Sequence, residues 1–485
     1  MTEVRETRDV RRIPAVIAIV VALVVVGVAD RATRPALTPV GERLATAYAP
    51  TASPPDSLTS NWYCPAGTSA PGGTAEATTI IVNPTAERRQ GTIEGVGVDG
   101  NRASKAITVE AHSRVAIPNA EILKNPYVAT HVQLDGGGAF VEHSATGPTG
   151  EAHGACGSSA STRWYMPEGA TTRAATLIYS LFNPFPDDAI VDMSFSTDTG
   201  RAAPNDFQGL VVPANGLLAI DVGSHVRRRA HVSGELRVRR GRIVAEQMQI
   251  HNGEGRKGLG LTLGAPRRAL SFVFPDGVAG PRHQEQLHFF NPNREEASVS
   301  LDLVLDAEEA QPFEIRVPAR DRVTIDLSGE SRIPKNVGHA MIVRVQNNVP
   351  IAVARTIDVG SPGARTAFLI DIGATAAAQH WGFASGGTSP TQEEFIAISN
   401  EADREVTISI TTPDGSGLMT LPNLSGVKIP RGARKAFRLA DFNGKPQMPL
   451  IVNASGPVVV ERTIYKLNGL GASASMGIVL STDHG

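Results

Sequence analysis

Gly95, Gly97 and Gly100 stand at the spacing of a dinucleotide-binding loop, GVGVDG. That chemistry needs a strand before the loop and a helix after it, whose first amides meet the pyrophosphate. The residues after the loop, NRASKAITVE, read as a turn and another strand, so the match carries no binding. The chain has no Gly-x-Ser-x-Gly elbow, no His-Glu-x-x-His and no Walker loop. A glycosidase needs only two carboxylates about 5–9 Å apart, yet no acid stands out, and Asp99, Asp276 and Asp414 each precede glycine and read as turn residues. His225, His231, His251, His283 and His288 lack metal-ligand spacing and read as surface or strand-edge side chains. The expectation is a non-enzyme with no catalytic, cofactor or metal residues.

Two groups keep some chemistry. Arg227, Arg228 and Arg229 are followed by Arg237, Arg239, Arg240 and Arg242. Alternation along a strand puts Arg237 and Arg239 on one side. The cluster is either an anion-binding patch, gripping phosphate or carboxylate, or a strand edge charged against aggregation. The second group is Cys64 and Cys156, the only cysteines, which are either one disulfide or two unrelated thiols.

The elements that must position these residues begin with the N-terminus. Residues 13–29, beginning at Ile13 and ending with Ala29, are uncharged. As a helix the run spans ~25 Å, enough for a thin bilayer core. Arg5, Arg8, Arg11 and Arg12 precede it, while Arg31 and Arg34 come after, which favours a cytoplasmic tail (1–12), a transmembrane helix (13–29) and an exported body. A cleaved signal peptide is the other reading, with Gly27-Val28-Ala29 as the cleavage site. Residues 30–60 read as a flexible spacer. A net charge of −2 gives no global pull toward nucleic acid or a membrane surface, and an exported protein has no nucleic acid to meet.

The body is repetitive. Trp62-Tyr63-Cys64-Pro65-Ala66-Gly67 returns as Trp164-Tyr165-Met166-Pro167-Glu168-Gly169, Phe272-Val273-Phe274-Pro275-Asp276-Gly277 and Trp381-Gly382-Phe383-Ala384-Ser385-Gly386. A strand ending in asparagine succeeds each opening, at Asn83, Asn183, Asn291 and Asn400, and then a second landmark, Ile117-Pro118, Val212-Pro213, Val317-Pro318 and Ile429-Pro430. Each unit closes on Val141-Glu142-His143, Ala245-Glu246-Gln247, Ala354-Arg355-Thr356 or Glu461-Arg462-Thr463. The period of about 100 to 110 residues is too long for a propeller blade. It holds about seven short alternating strands, which suits two packed antiparallel sheets. The expected fold is all-β: four tandem Ig-like antiparallel sandwich modules at 61–160, 161–270, 271–378 and 379–485, after one transmembrane helix. The leading aromatic reads as a core plug, with a carbohydrate-stacking platform as the sharper alternative. Cys64 lies in the first opening and Cys156 in the connector leaving the same unit, both at positions that are apolar in the other units. If opening and connector pack together, the two sulfurs meet.

The pattern W-Y-x-P-x-G, then Asn-Pro, then V-P-A, then E-R-T-I-Y resembles a β-repeat of surface and secreted actinobacterial proteins. With its single N-terminal membrane segment, the chain is similar to an uncharacterised actinobacterial family of single-pass envelope proteins. The resemblance implies location and architecture, and no site. The function expected is a membrane-anchored, extracytoplasmic scaffold or binding protein. Its modules would form a rod between the bilayer, met through residues 13–29, and a cell-wall polymer or another envelope protein. The alternative is a glycan-acting enzyme with a loop-built site in one divergent module.

Overall fold

The computed structural model describes residues 49–305, 312–467 and 469–481. The tail (1–12), the apolar run (13–29) and the spacer as far as residue 48 lie outside the described residues. Among the described residues no helix is long and apolar enough to cross a membrane. They form strands and four one-turn 3-10 helices.

Each repeat folds by the same strand order. In the first, one sheet runs Thr59–Cys64, Val128–Asp135, Arg89–Gly97, Arg102–Val109, and the other Ser113–Pro118, Glu76–Asn83, Phe140–Gly147, Gly150–Ala155. The second and third keep both orders, with short extra strands in the second. In the fourth, one long strand, Leu450–Lys466, serves both sheets: its first half pairs with Ala378–Phe383, its second with Gln392–Ser399. Period-two alternation supplies the buried face, as in Ala297–Leu305, where Val299, Leu301 and Leu303 are buried. The four largest cores fall one to a repeat, apart from a few chain-end and neighbouring side chains. Trp62, Trp164, Phe272 and Trp381 lie inside them, at most 3 % exposed, so they plug cores and have no face to offer a sugar.

The asparagines do more than end a strand. Asn291 donates from Nδ2 to the carbonyls of Glu295, Val317 and Pro318, and accepts the Asn293 amide at Oδ1. Asn83, Asn183 and Asn400 repeat this network. It satisfies main-chain groups that the turn leaves unpaired. The network also corrects one landmark. In the first repeat Asn83 reaches Val109 and Glu110, so Val109-Glu110 is the counterpart of Val212-Pro213, and Ile117-Pro118 belongs to the next strand.

The cysteines are joined. Cys64 and Cys156 form a disulfide with Cα atoms 4.6 Å apart, both buried, tying the first opening to its connector across 92 residues.

The repeats do not extend as a rod. The strands leaving each one, Gly150–Ala155, Lys257–Leu263, Ala364–Ile372 and Ala472–Met476, pack in cyclic order, the last against the first, around one axis. Small side chains permit this. A Cβ on Gly258 would stand 2.2 Å from that of Phe368, and Ala472 and Ala474 pack against Leu369. The end of the expected spacer is also part of the fold. Thr51–Ala52 pairs in parallel with Ile478–Leu480 on the edge of the fourth repeat, and Thr51 donates to Ser158 of the first at 3.0 Å. A repeat with an apolar face at both ends must cover both, and closing the ring covers the two that a rod would expose.

Candidate functional site at the repeat junctions

The closing strand of each repeat carries two positions at the heart of the junctions: Glu142-His143, Glu246-Gln247, Ala354-Arg355 and Glu461-Arg462. Register establishes the equivalence, since the first of each pair lies opposite the residue three before the asparagine: Ile80↔Glu142, Ser180↔Glu246, His288↔Ala354 and Ala397↔Glu461.

In this frame a glutamate of one repeat grips the opening segment of the repeat before it, and meets that repeat's second closing residue. Glu246 accepts the Ala66 amide at 3.1 Å and meets His143 Nε2 at 2.8 Å. Glu461 accepts the Asp276 amide at 2.9 Å and pairs with Arg355. Glu142 closes the ring, accepting the Ser385 amide at 2.8 Å and Arg462 Nη1 at 2.9 Å. Between the second and third repeats the glutamate is replaced by Ala354, and its partner position holds the neutral Gln247, which donates to the Glu168 carbonyl. Acid and partner are lost together, as a buried ion pair requires, because either alone would be an uncompensated polar group.

A second pair lies nearby, on the strand opposite the residue before each asparagine. There the positions are Arg114, Leu217, Arg322 and Arg434, and the three arginines face Ser385, Glu168 and Asp276 of the preceding openings. Arg322 Nη2 stands 2.5 Å from Glu168 Oε2, and Arg434 Nη2 2.7 Å from Asp276 Oδ1. Asp276 therefore lies within the strand Ser271–Val278 and is a junction residue, not a turn residue as expected from Asp-Gly. Asp99 and Asp414 do sit in turns, with Gly100 and Gly415 at positive φ.

His231 and His288, remote in sequence, meet at Glu168: Nδ1 of each is 3.0 Å from one of its oxygens. The three offer atoms within 4.8 Å of one another, a spacing that suits a metal ion. Arg322 already takes a cation's place there, and His288 Nε2 is engaged with Thr356 at 2.8 Å. Burial opposes ionisation of Glu168, but His288 and Arg322 outweigh it and hold the carboxyl far below its ordinary range. Burial pushes His288 below its ordinary value, against the pull of Glu168. At neutral pH the compensating charge is that of Arg322. His251 is also buried, its charged form disfavoured by burial and by Arg256. Between the third and fourth repeats, Arg355 lies among Glu285, Asp371 and Glu461. Burial drives Asp371 upward and Glu461 well above the carboxylate range, against the pull of Arg355.

The arginine cluster does not form one patch. Arg227, Arg228 and Arg229 belong to a loop fastened to Ser224 and Thr171. Arg239 pairs with Asp192, Arg240 is exposed, and Arg242 lies 4.7 Å from the Phe185 ring centroid. Arg237 and Arg239 do share the outer side of their strand. Arg237 joins Arg163, Arg201, Arg294 and Arg320 around an open groove of about 530 Å³ on the outer side of the second and third repeats. Its two carboxylates are engaged: Glu235 with Arg163 at 3.0 Å and Asp192 with Arg239.

No family model matches the chain, and no curated protein matches it. Among solved structures, Thermotoga maritima 1070 is 20% identical over 22% of this chain and 94% of its own, with a TM-score of 0.20. The Anabaena sensory rhodopsin transducer is 23% identical over 18% of this chain and 88% of its own, with a TM-score of 0.17. A GH2 beta-galacturonidase from Eisenbergiella tayi is 8% identical over 65% of this chain and 46% of its own, with a TM-score of 0.15.

Proposed function

We propose that this chain is a membrane-anchored, extracytoplasmic, non-enzymatic binding scaffold of the bacterial cell envelope, built from four Ig-like sandwich modules behind a single transmembrane helix at residues 13–29. The observation that carries the reading is the division of labour among charged groups. At the junctions, Arg322, Arg355, Arg434 and Arg462 are each paired with an acid in holding the ring, and Arg114, alone of the described junction arginines, is not. Arg201, Arg294 and Arg320 face the outer groove with no carboxylate partner among the described residues, and Arg237 lies opposite Asp192, whose carboxylate is already paired with Arg239. Such a groove suits a polymer bearing phosphate or carboxylate groups, since guanidinium forks meet both anions with paired hydrogen bonds. Both acids of the groove are held in ion pairs, a state fitted to orienting arginines and ill fitted to donating a proton to a glycosidic oxygen. The disulfide suits an oxidising compartment.

The test uses the full-length protein in isolated membranes and purified anionic wall polymer. The protein should stay with the membranes through high-salt and carbonate washing, and retain polymer in a saturable, salt-sensitive way. Arg237→Ala with Arg320→Ala should abolish retention, and the recovered polymer should keep its chain length. Shortened polymer would establish the enzyme instead, and release by carbonate would remove the anchor.

A further inference from the structure

The junction that closes the ring keeps an arginine without the acid that answers it elsewhere. Arg322 is matched by Glu168 and Arg434 by Asp276. The equivalent Arg114 faces Ser385, whose hydroxyl is turned to Glu142 at 2.5 Å. Arg114 donates from Nε to the Ala384 carbonyl at 3.1 Å and from Nη1 to Gln447 at 3.4 Å, and no carboxylate among the described residues pairs with it. Burial disfavours its charged form, partly offset by Glu142, which Arg462 already neutralises.

A groove of about 290 Å³ opens beside Ser385 and Arg114. The counterpart beside Glu168 is about 30 Å³. Gly386, at φ +116, contributes to its wall, and a Cβ there would meet Glu394 at 2.6 Å, so the wall stays free of a side chain. Gln392, Gln447, Thr388 and Ser389 supply polar lining. Lys466, also in the lining, is paired with Glu151 at 2.9 Å.

We propose that this groove binds a small hydroxylated carboxylate, whose carboxylate group takes, against Arg114, the place that the side chains of Glu168 and Asp276 take at the two equivalent junctions. One uncompensated guanidinium matches one negative charge, which selects a carboxylate over a phosphate dianion. The amide and hydroxyl lining supplies partners for hydroxyl groups, and the volume admits one molecule of about monosaccharide size. The site lies on a different junction from the outer arginine groove and goes beyond the scaffold reading, so either can fail without the other.

The test is calorimetric titration of the full-length protein with D-glucuronate, and with glucose and inorganic phosphate as neutral and phosphate probes. Glucuronate should bind saturably and glucose at least roughly tenfold more weakly, the loss expected when a charge-assisted fork goes unmade. Ser385→Asp places a carboxylate where Asp276 answers Arg434, so the variant, if it keeps a cooperative melting transition, should lose glucuronate binding at least roughly tenfold. Should that variant not fold, Arg114→Gln, which keeps donors for Ala384, serves as the second and should lose binding equally. Absence of glucuronate binding up to about 10 mM, equal binding of glucose, tighter binding of phosphate, or retained binding in the folded variants would each overturn the proposal.

Discussion

Glu394 should make the protein less stable as pH rises through the weakly acidic range, and Glu394→Gln should remove that loss. The carboxyl is fully buried beneath the Gly386-Gly387 loop, where Oε2 accepts the Gly387 amide and Oε1 has no partner. Burial pushes its pKa up from 4.5 to about 7, against the pull of Arg462. Below the ordinary carboxylate pKa both the folded and unfolded chains hold the proton, and the group costs nothing. Between about pH 4.5 and 7 the unfolded chain releases it and the folded chain does not, so stability falls with rising pH and levels off above 7. A shift from 4.5 to about 7 corresponds to about 3 kcal/mol. Glutamine keeps an acceptor for the Gly387 amide and cannot ionise. The assay is urea unfolding of both proteins from pH 4 to 8. Because Glu461, Asp371 and every other titrating group are common to both, the difference between the curves isolates Glu394. It should be near its minimum at acid pH and grow in the variant's favour by about 3 kcal/mol above pH 7. A flat difference, or one in which the wild type gains with rising pH, would refute the reasoning.

Replacing both Cys64 and Cys156 by alanine should lower stability by ~4–5 kcal/mol in the chain-entropy reading of a loop of this length, measured as the shift in urea midpoint against the oxidised protein. Arg462→Met leaves Glu142 buried without its cation and should cost about 3–5 kcal/mol. Adding Glu142→Gln should recover much of that loss, and a double-mutant cycle in thermal unfolding checks the coupling. Asn291→Ala removes a donor to three carbonyls and should cost roughly 2–3 kcal/mol by the same measurement, at one or so for each hydrogen bond left unmade.

Much of the fold was legible because the repeat is written in residues that perform the same task each time. The aromatic opening, the strand ending in asparagine and the closing strand are a core plug, a turn network and a junction contact. The disulfide followed from placing both cysteines at repeat positions that are apolar elsewhere. The first repeat's second landmark was misplaced because Glu110 stands where proline stands in the others, and its carbonyl, not its ring, is what Asn83 needs. The ring was not legible, since strands that pack around an axis read like strands that pack within a sandwich. The junction charges were visible as types and silent as pairs: Glu142 meets Arg462 across 320 residues, and nothing local in either strand names the other. A charged residue repeated in the middle of apolar strands was the available signal. His231 and His288 were missed for the same reason, because Glu168 joins two repeats that the sequence separates.

The ring is the claim on which the junction pairs, both grooves and the closing contact rest. Small-angle X-ray scattering of residues 46–485 tests it most directly. A closed ring of this size should give a radius of gyration of about 22 Å, the value of one compact domain. Four units of roughly 40 Å laid end to end would give roughly 45 Å, and a value near that would contradict the account.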